Sequence, residues 1–269
     1  MLFDRFNRKI DYLRISVTDR CNHRCAYCMP HIPFVLKNHS DILSFEQIAL
    51  VAEVAAGLGI SKIRLTGGEP LVRRNIEELV AKLSAIAAIE EICMTTNGSL
   101  LAEKAEKLKA NGLSRVNVSI DSLDPEQYRR ITCGGELKQA LAGVDAALEA
   151  GLLPVKINMV ILDETVAGDI EKMEDFCERK GLKLQKIMQF SLYDRADLSR
   201  RFETERPPKC VNCNRLRLTS DGFFKPCLFS DDEIRVDFGD IAGSIRKAVT
   251  AKPENGSSCK GRFMNQIGG

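Results

Sequence analysis

Apolar and polar positions follow two rhythms along this chain. Six short, β-branched runs predict strands: YLRISV (12–17), KIRLT (62–66), EICMTT (91–96), RVNVSI (115–120), PVKINMV (154–160) and KLQKIMQF (183–190). Between them, apolar residues three and four apart predict helices near 44–58, 75–87, 101–110, 136–150 and 168–180. The first helix opens at Ser44 with Gln47 three residues on, the pattern of a capping box. Strands separated by helices pair in parallel through right-handed crossovers, and these strands read as apolar enough to be covered on both faces. Six units are too few to close an eight-stranded barrel. The expected fold class is therefore α/β, a partial (β/α)6 barrel whose working face lies at the C-terminal ends of the strands.

The unusual residues gather on that rim although they lie far apart in sequence. A cysteine loop follows the first strand, GGEP (67–70) the second and TNG (96–98) the third, while Ser119 and Asp121 end the fourth. After residue 192 the periodicity stops. The stretch 193–209 is charged and ends in a proline pair and a lysine, so it reads as a linker. The expected organisation is a barrel over 1–192, a linker over 193–209 and a small C-terminal region over 210–269 with further cysteines.

A formal net charge of +2 is too small to imply a nucleic-acid or membrane partner, so any anionic ligand must be met by locally placed Lys and Arg. The N-terminus scatters charges through its first residues and lacks the apolar core of a secretory signal. The longest apolar stretch, 48–60, is broken by Glu53 and too short to span a bilayer. A cytoplasmic protein is expected. In a reducing compartment, ten cysteines point to metal or catalytic use rather than a disulfide framework.

Cys21, Cys25 and Cys28 stand in TDRCNHRCAYCMP (18–30), three thiols that cannot all be used by one disulfide. Three thiolates suit a four-iron cluster that leaves one iron open for a ligand; a zinc site completed by His23 or His31 is the plainer alternative. In GGEP two glycines would let the backbone approach a ligand. A second trio, Cys210, Cys213 and Cys227, again leaves one position open, with Cys259 the candidate fourth ligand if the metal is zinc. Between its members, Arg215 and Arg217 would point the same way on an extended segment, forming a fork for phosphate or carboxylate. Cys93 and Cys177 read as core, Cys133 as a loop thiol, and the three histidines carry no assigned role.

CNHRCAYC followed by GGEP resembles the signature of the radical S-adenosylmethionine (SAM) superfamily. Together with YLRISVTDRCN, IRLTGGEPLVRR, TTNG, NVSID, CNRLRLT, PCLF and a terminal IGG, it resembles the GTP 3′,8-cyclase family of molybdenum-cofactor biosynthesis over nearly the whole chain. That resemblance implies two 4Fe–4S clusters, one on Cys21, Cys25 and Cys28 that binds SAM and one on Cys210, Cys213 and Cys227 that faces the guanine. It implies SAM contacts from Tyr27, Gly68, Ser119 and Ser191, and GTP contacts from Arg14, Lys62, Arg64, Thr95, Lys156, Arg215 and Arg217. A tail ending in Gly268 and Gly269 would enter the site. The implied lyase reaction converts GTP to (8S)-3′,8-cyclo-7,8-dihydroguanosine 5′-triphosphate, with no protein acid or base assigned. The implied partners are GTP, a flavodoxin or ferredoxin type electron donor, and the next pathway enzyme, cyclic pyranopterin monophosphate synthase.

One departure stands out. The family has a longer segment between the sixth strand and the second trio, and its shortening here would open the barrel mouth or be compensated in a homodimer. The alternative functions are a two-cluster radical SAM enzyme acting on another nucleotide, small molecule or peptide, and a non-catalytic iron–sulfur module.

Overall fold

The computed structural model describes residues 1–28, 35–192 and 210–268. His31, the 193–209 stretch and Gly269 lie outside them. Six strands with helices between them follow the expected order: β1 (Tyr12–Ser16), α1 (Phe45–Gly57), β2 (Lys62–Thr66), α2 (Ile76–Ser84), β3 (Glu91–Thr96), α3 (Ala105–Ala110), β4 (Arg115–Ser119), α4 (Pro125–Thr132), α5 (Leu137–Glu149), β5 (Lys156–Ile161), α6 (Ala167–Arg179) and β6 (Lys183–Met188). Ser44 and Gln47 form both bonds of the capping box at the start of α1. The extra helix, α4, is capped by Asp124 with Pro125 in its first turn. Three strands follow, β7 (Arg215–Leu218), β8 (Phe223–Lys225) and β9 (Ile234–Arg235), then α7 (Ile241–Thr250) and a short α8 (Met264–Ile267).

Among the described residues, nine strands form one open sheet in the order β6-β5-β4-β3-β2-β1-β7-β8-β9. Strands β1 to β7 are parallel, and β8 and β9 add antiparallel at the edge. The C-terminal region thus continues the sheet of residues 1–192, and Leu216, Leu218, Phe224, Ile241 and Ile245 join the same buried core.

The expectation that both strand faces are apolar is corrected here. One face carries the core aliphatics, among them Leu13, Ile15, Ile63, Leu65, Ile92, Met94, Val116, Val118, Ile157 and Met159, all buried under the helices. The alternate positions, which share the opposite face, read Arg14 and Ser16, Arg64 and Thr66, Cys93 and Thr95, Arg115 and Asn117, Lys156 and Asn158. An enclosed polar face needs something polar to meet it. Cys93 is buried, as expected, but on this face, where it pairs in register with Arg64 and Arg115. Cys177 lies in the core and Cys133 is exposed at the end of α4, as expected.

Candidate functional site

The loop carrying Cys21, Cys25 and Cys28 leaves β1 and is tied down from four directions. Arg24 and Ala26 donate backbone N–H groups to the carbonyls of Thr132 and Ile131 at the end of α4. Tyr27 Oη donates to Asp121 Oδ2 at 2.8 Å, and Asp121 Oδ1 accepts from the Val160 N–H, also at 2.8 Å. Asn22 bonds Ser99 and Asn97 after β3. The stem of the loop docks on GGEP, where the Gly68 and Glu69 N–H groups reach the carbonyls of Thr18 and Arg20 at 2.8 Å.

That docking explains the glycine pair. A Cβ on Gly68 would lie 2.1 Å from the Arg20 carbonyl oxygen, and one on Gly67, whose φ is +139°, would lie 2.4 Å from that of Thr18. Both glycines admit the backbone of the cysteine loop. Glu69 is buried and accepts from the Leu71 N–H, Thr96 Oγ1 and the Asn97 N–H. Burial pushes its carboxyl up to about 7 against those three bonds.

Two cavities of about 180 and 200 Å³ lie on the polar face and share Thr95, Asn158, Ile187 and Phe190 in their walls. The first trio, Tyr27, Gly68 and Ser119 line one of them. Its remaining wall includes His23, Glu69, Asn97 and Met264. The second trio lines the other, together with Arg14, Arg64, Thr95, Lys156, Arg215 and Arg217. Lys62 lines neither; it is half-exposed and faces Glu91. Ser191 is exposed and is in neither wall, while its neighbours Met188, Gln189 and Phe190 line the first-trio cavity.

Strand register arranges the cations. Arg14 on β1 pairs with Arg64 on β2 and with Arg217 on β7, so three guanidiniums stand in one row across adjacent strands, roughly 4.8 Å apart at the backbone. Burial and the neighbouring Arg217 push the Arg14 guanidinium well below its ordinary range. Burial and Arg215 lower Arg217 to about 10. Arg64 is held by Tyr12, by Thr95 Oγ1 at 3.1 Å and by Asn117 Oδ1 at 2.9 Å. Such a row is costly unless an anion enters it.

The tail reaches the same place. Arg217 Nη1 donates to the Gly268 carbonyl at 2.6 Å, Asn265 Nδ2 donates to the Asp19 carbonyl, and Met264 lines the first-trio cavity. A Cβ on Gly268 would lie 2.0 Å from Thr66 Oγ1. Arg262 anchors the start of this tail through Asp221 and Glu233.

The thiols are in different electrical states. Burial raises Cys21 to about 11, Cys28 to about 12 and Cys25 further still. Burial also works to raise Cys213, but Lys252 and Arg215 outweigh it and bring that thiol to about 6. Backbone N–H groups already point at sulfur, His23 to Cys21 and Phe229 to Cys227, each at 3.4 Å. Among the described residues no three His, Cys, Asp or Glu side chains are arranged around a single metal ion. Cys259 lies in a small apolar cluster with Leu192, Phe229 and Ile267 and does not line the second-trio cavity. A donor set of three cysteines with N–H bonds to sulfur fits a cluster, in which each thiolate holds a different iron.

Sequence reasoning missed Tyr12, Arg115, Asn117, Asn158 and Lys252 in these walls. Strand parity would have found the first four, since each falls on the same alternation as Arg14 or Lys156. Lys252 carried no local signal.

Residues 15–177 match the model of the radical SAM superfamily. The GTP 3′,8-cyclase of Petrotoga mobilis is 39% identical, with 100% of both chains covered. That of Moorella thermoacetica is 40% identical, with 99% of each covered. The Petrotoga match runs over 323 aligned positions against 269 residues here, so many of its positions face gaps in this chain. Among solved structures, Streptococcus suis SuiB bound to S-adenosylmethionine superposes with a TM-score of 0.69 at 15% identity, over 92% of this chain and 66% of that one. The anSMEcpe structure with bound AdoMet gives 0.65 at 17% identity, over 91% and 81%. Motif, fold and full-length similarity agree that the chain belongs to the radical SAM superfamily and, within it, to the GTP 3′,8-cyclase family.

Proposed function

We propose that this chain is a radical SAM lyase that cyclises GTP to (8S)-3′,8-cyclo-7,8-dihydroguanosine 5′-triphosphate in molybdenum-cofactor biosynthesis. The observation that carries the reading is the register-matched row Arg217–Arg14–Arg64 between two three-cysteine loops, in a chain that matches GTP 3′,8-cyclases end to end.

Cys21, Cys25 and Cys28 would hold the cluster that binds SAM; Cys210, Cys213 and Cys227 would hold the one that meets the guanine. When bound, the first cluster would supply the electron that opens SAM to radical chemistry at the ribose C3′ of GTP, and closing C3′ onto C8 would take one further electron and a proton, so the donor would deliver two electrons per turnover. Everything else falls to the chain's own residues, as in other cofactor enzymes. Tyr27, Gly68 and Ser119 line the SAM side, and Asp121 fixes the ring of Tyr27. Arg14, Arg64, Arg215, Arg217 and Lys156 receive the triphosphate, with Thr95 in the shared wall. The buried tail, entering beside Arg217, limits water at the reacting carbons. Lys62 and Ser191 stand outside the walls and serve no contact in this reading. A low-potential one-electron donor of the flavodoxin or ferredoxin type would supply reduction, and cyclic pyranopterin monophosphate synthase would consume the product.

The test is anaerobic. The reconstituted chain is reduced and given SAM with GTP or with ATP, and 5′-deoxyadenosine and nucleotide products are followed by mass spectrometry. GTP-dependent 5′-deoxyadenosine with an isomeric nucleotide is expected. SAM cleavage indifferent to GTP would sink the substrate, and no cleavage by a two-cluster chain would sink the enzyme.

A further inference from the structure

Lys252 follows α7 and is 2% exposed. Its ammonium donates to the carbonyls of Arg215 and Pro226, both at 2.8 Å. Arg215 stands two residues after Cys213, and Pro226 immediately precedes Cys227. The third donor of the ammonium is left for the second-trio cavity, whose wall Lys252 shares with Cys210, Cys213 and Cys227, and its charge attracts the sulfurs of Cys213 and Cys227. No carboxylate lies within ion-pair distance of Lys252 among the described residues.

Arg8 makes the contrast. It reaches the Cys210 carbonyl at 2.9 Å and those of Pro253 and Glu254, but Asp4 neutralises it at 2.6 Å. Arg8 therefore fixes backbone without adding net charge, whereas Lys252 brings a buried positive charge to the sulfurs. A buried ammonium without a counter-ion is strongly unfavourable, so its partner is the anionic thiolate set it faces.

We propose that Lys252 is a positioning residue for the second cluster: it clamps the two segments that carry Cys213 and Cys227, and its charge balances their thiolates. A fixed positive charge beside a cluster favours the reduced form, because reduction adds negative charge, and so raises the reduction potential.

The proposal rests on the two-cluster reading above. The experiment compares the reconstituted full chain with Lys252→Met and Lys252→Arg by iron content, loss of iron to a chelator, and EPR-monitored redox titration. The wild type should take up about eight irons per chain. Lys252→Met should keep the first cluster's signal and potential, shift the second potential to more negative values, and lose second-cluster iron at least tenfold faster. Lys252→Arg should restore much of the potential. If Lys252→Met does not fold, Lys252→Gln against Lys252→Arg poses the same contrast of charge lost and kept. Iron for a single cluster in the wild type would sink the two-cluster reading and this proposal together. Two clusters in the wild type, with an unmoved second potential and unchanged iron loss on removal of the charge, would overturn this proposal alone.

Discussion

Around Cys21, Cys25 and Cys28 the protein places aromatic rings and the buried carboxylates of Glu69 and Asp121; around Cys210, Cys213 and Cys227 it places Lys252, Arg215 and Arg217. The same donor chemistry thus sits in opposite fields on one sheet. The first loop's thiols are held in the protonated form by burial, so metal must displace their protons. Cys213 is a thiolate at neutral pH before any metal arrives. Equal numbers of cysteines therefore do not make electrically equivalent loops.

The largest expected effect separates the two loops. Cys21→Ala should abolish 5′-deoxyadenosine formation, whereas Cys213→Ala should retain SAM cleavage and lose the cyclised nucleotide. Product analysis of both variants checks this, and equal loss of both products would break the division of labour.

Alkylation of the metal-free chain sharpens the electrical contrast. At pH 7.5 Cys213 should react about 20-fold faster than Cys21, read by mass spectrometry of labelled peptides; thiolate fraction favours Cys213, and the lower nucleophilicity of a low-pKa thiolate moderates the ratio. The sign is fixed by the proton: lowering the pH through about 6 protonates Cys213 and slows its labelling, while the gap between the two closes only as the pH rises towards about 11 and Cys21 ionises.

The two regions are joined by the tail, and Arg262 is its anchor. Arg262→Met leaves Asp221 with Lys37 and Glu233 with Lys225 as their remaining cations and should cost about 2 kcal/mol of stability through the lost charge-assisted bonds, measured by urea unfolding of the metal-free chain. A loss below about 1 kcal/mol, the scale of an exposed ion pair, would contradict a buried anchor.

Within the cation row the effects should be smaller. Arg217→Met removes one charge-assisted contact to a phosphate and should raise the KM for GTP about thirtyfold, from about 2 kcal/mol. Lys62→Met, half-exposed and outside the cavity, should change it less than twofold. Comparable effects at the two positions would mean that strand register does not select the phosphate contacts.

Six strands and five of the first six helices were legible in the sequence because periodicity and short turns agree there. Helix α4 was not, since DPEQYRRIT is mostly polar; its signals were local, Asp124 as cap and Pro125 in the first turn. The second-trio region was read as standing apart because nothing near Arg215 announces that its partner strand lies at Tyr12. The two cysteine trios and most of the cations that line the cavities were visible from motif and resemblance. The polar strand face was overlooked because each strand, averaged over both faces, looks apolar enough. Only when alternate residues are separated do Arg14, Arg64, Asn117 and Asn158 share one side.

The pairing of β7 with β1 has a consequence for how the protein is made. Tyr12 and Arg215 are neighbours across the sheet but are separated by about three quarters of the chain. Until residues 215–218 leave the ribosome, β1 is an open edge with its backbone groups unpaired, and the row of guanidiniums lacks Arg217. The first cysteine loop and its GGEP partner can assemble early, since both lie within the first seventy residues or so. The cationic wall comes last, with the strand that closes the edge, so a chain truncated before β7 would carry the first loop and an incomplete arginine row.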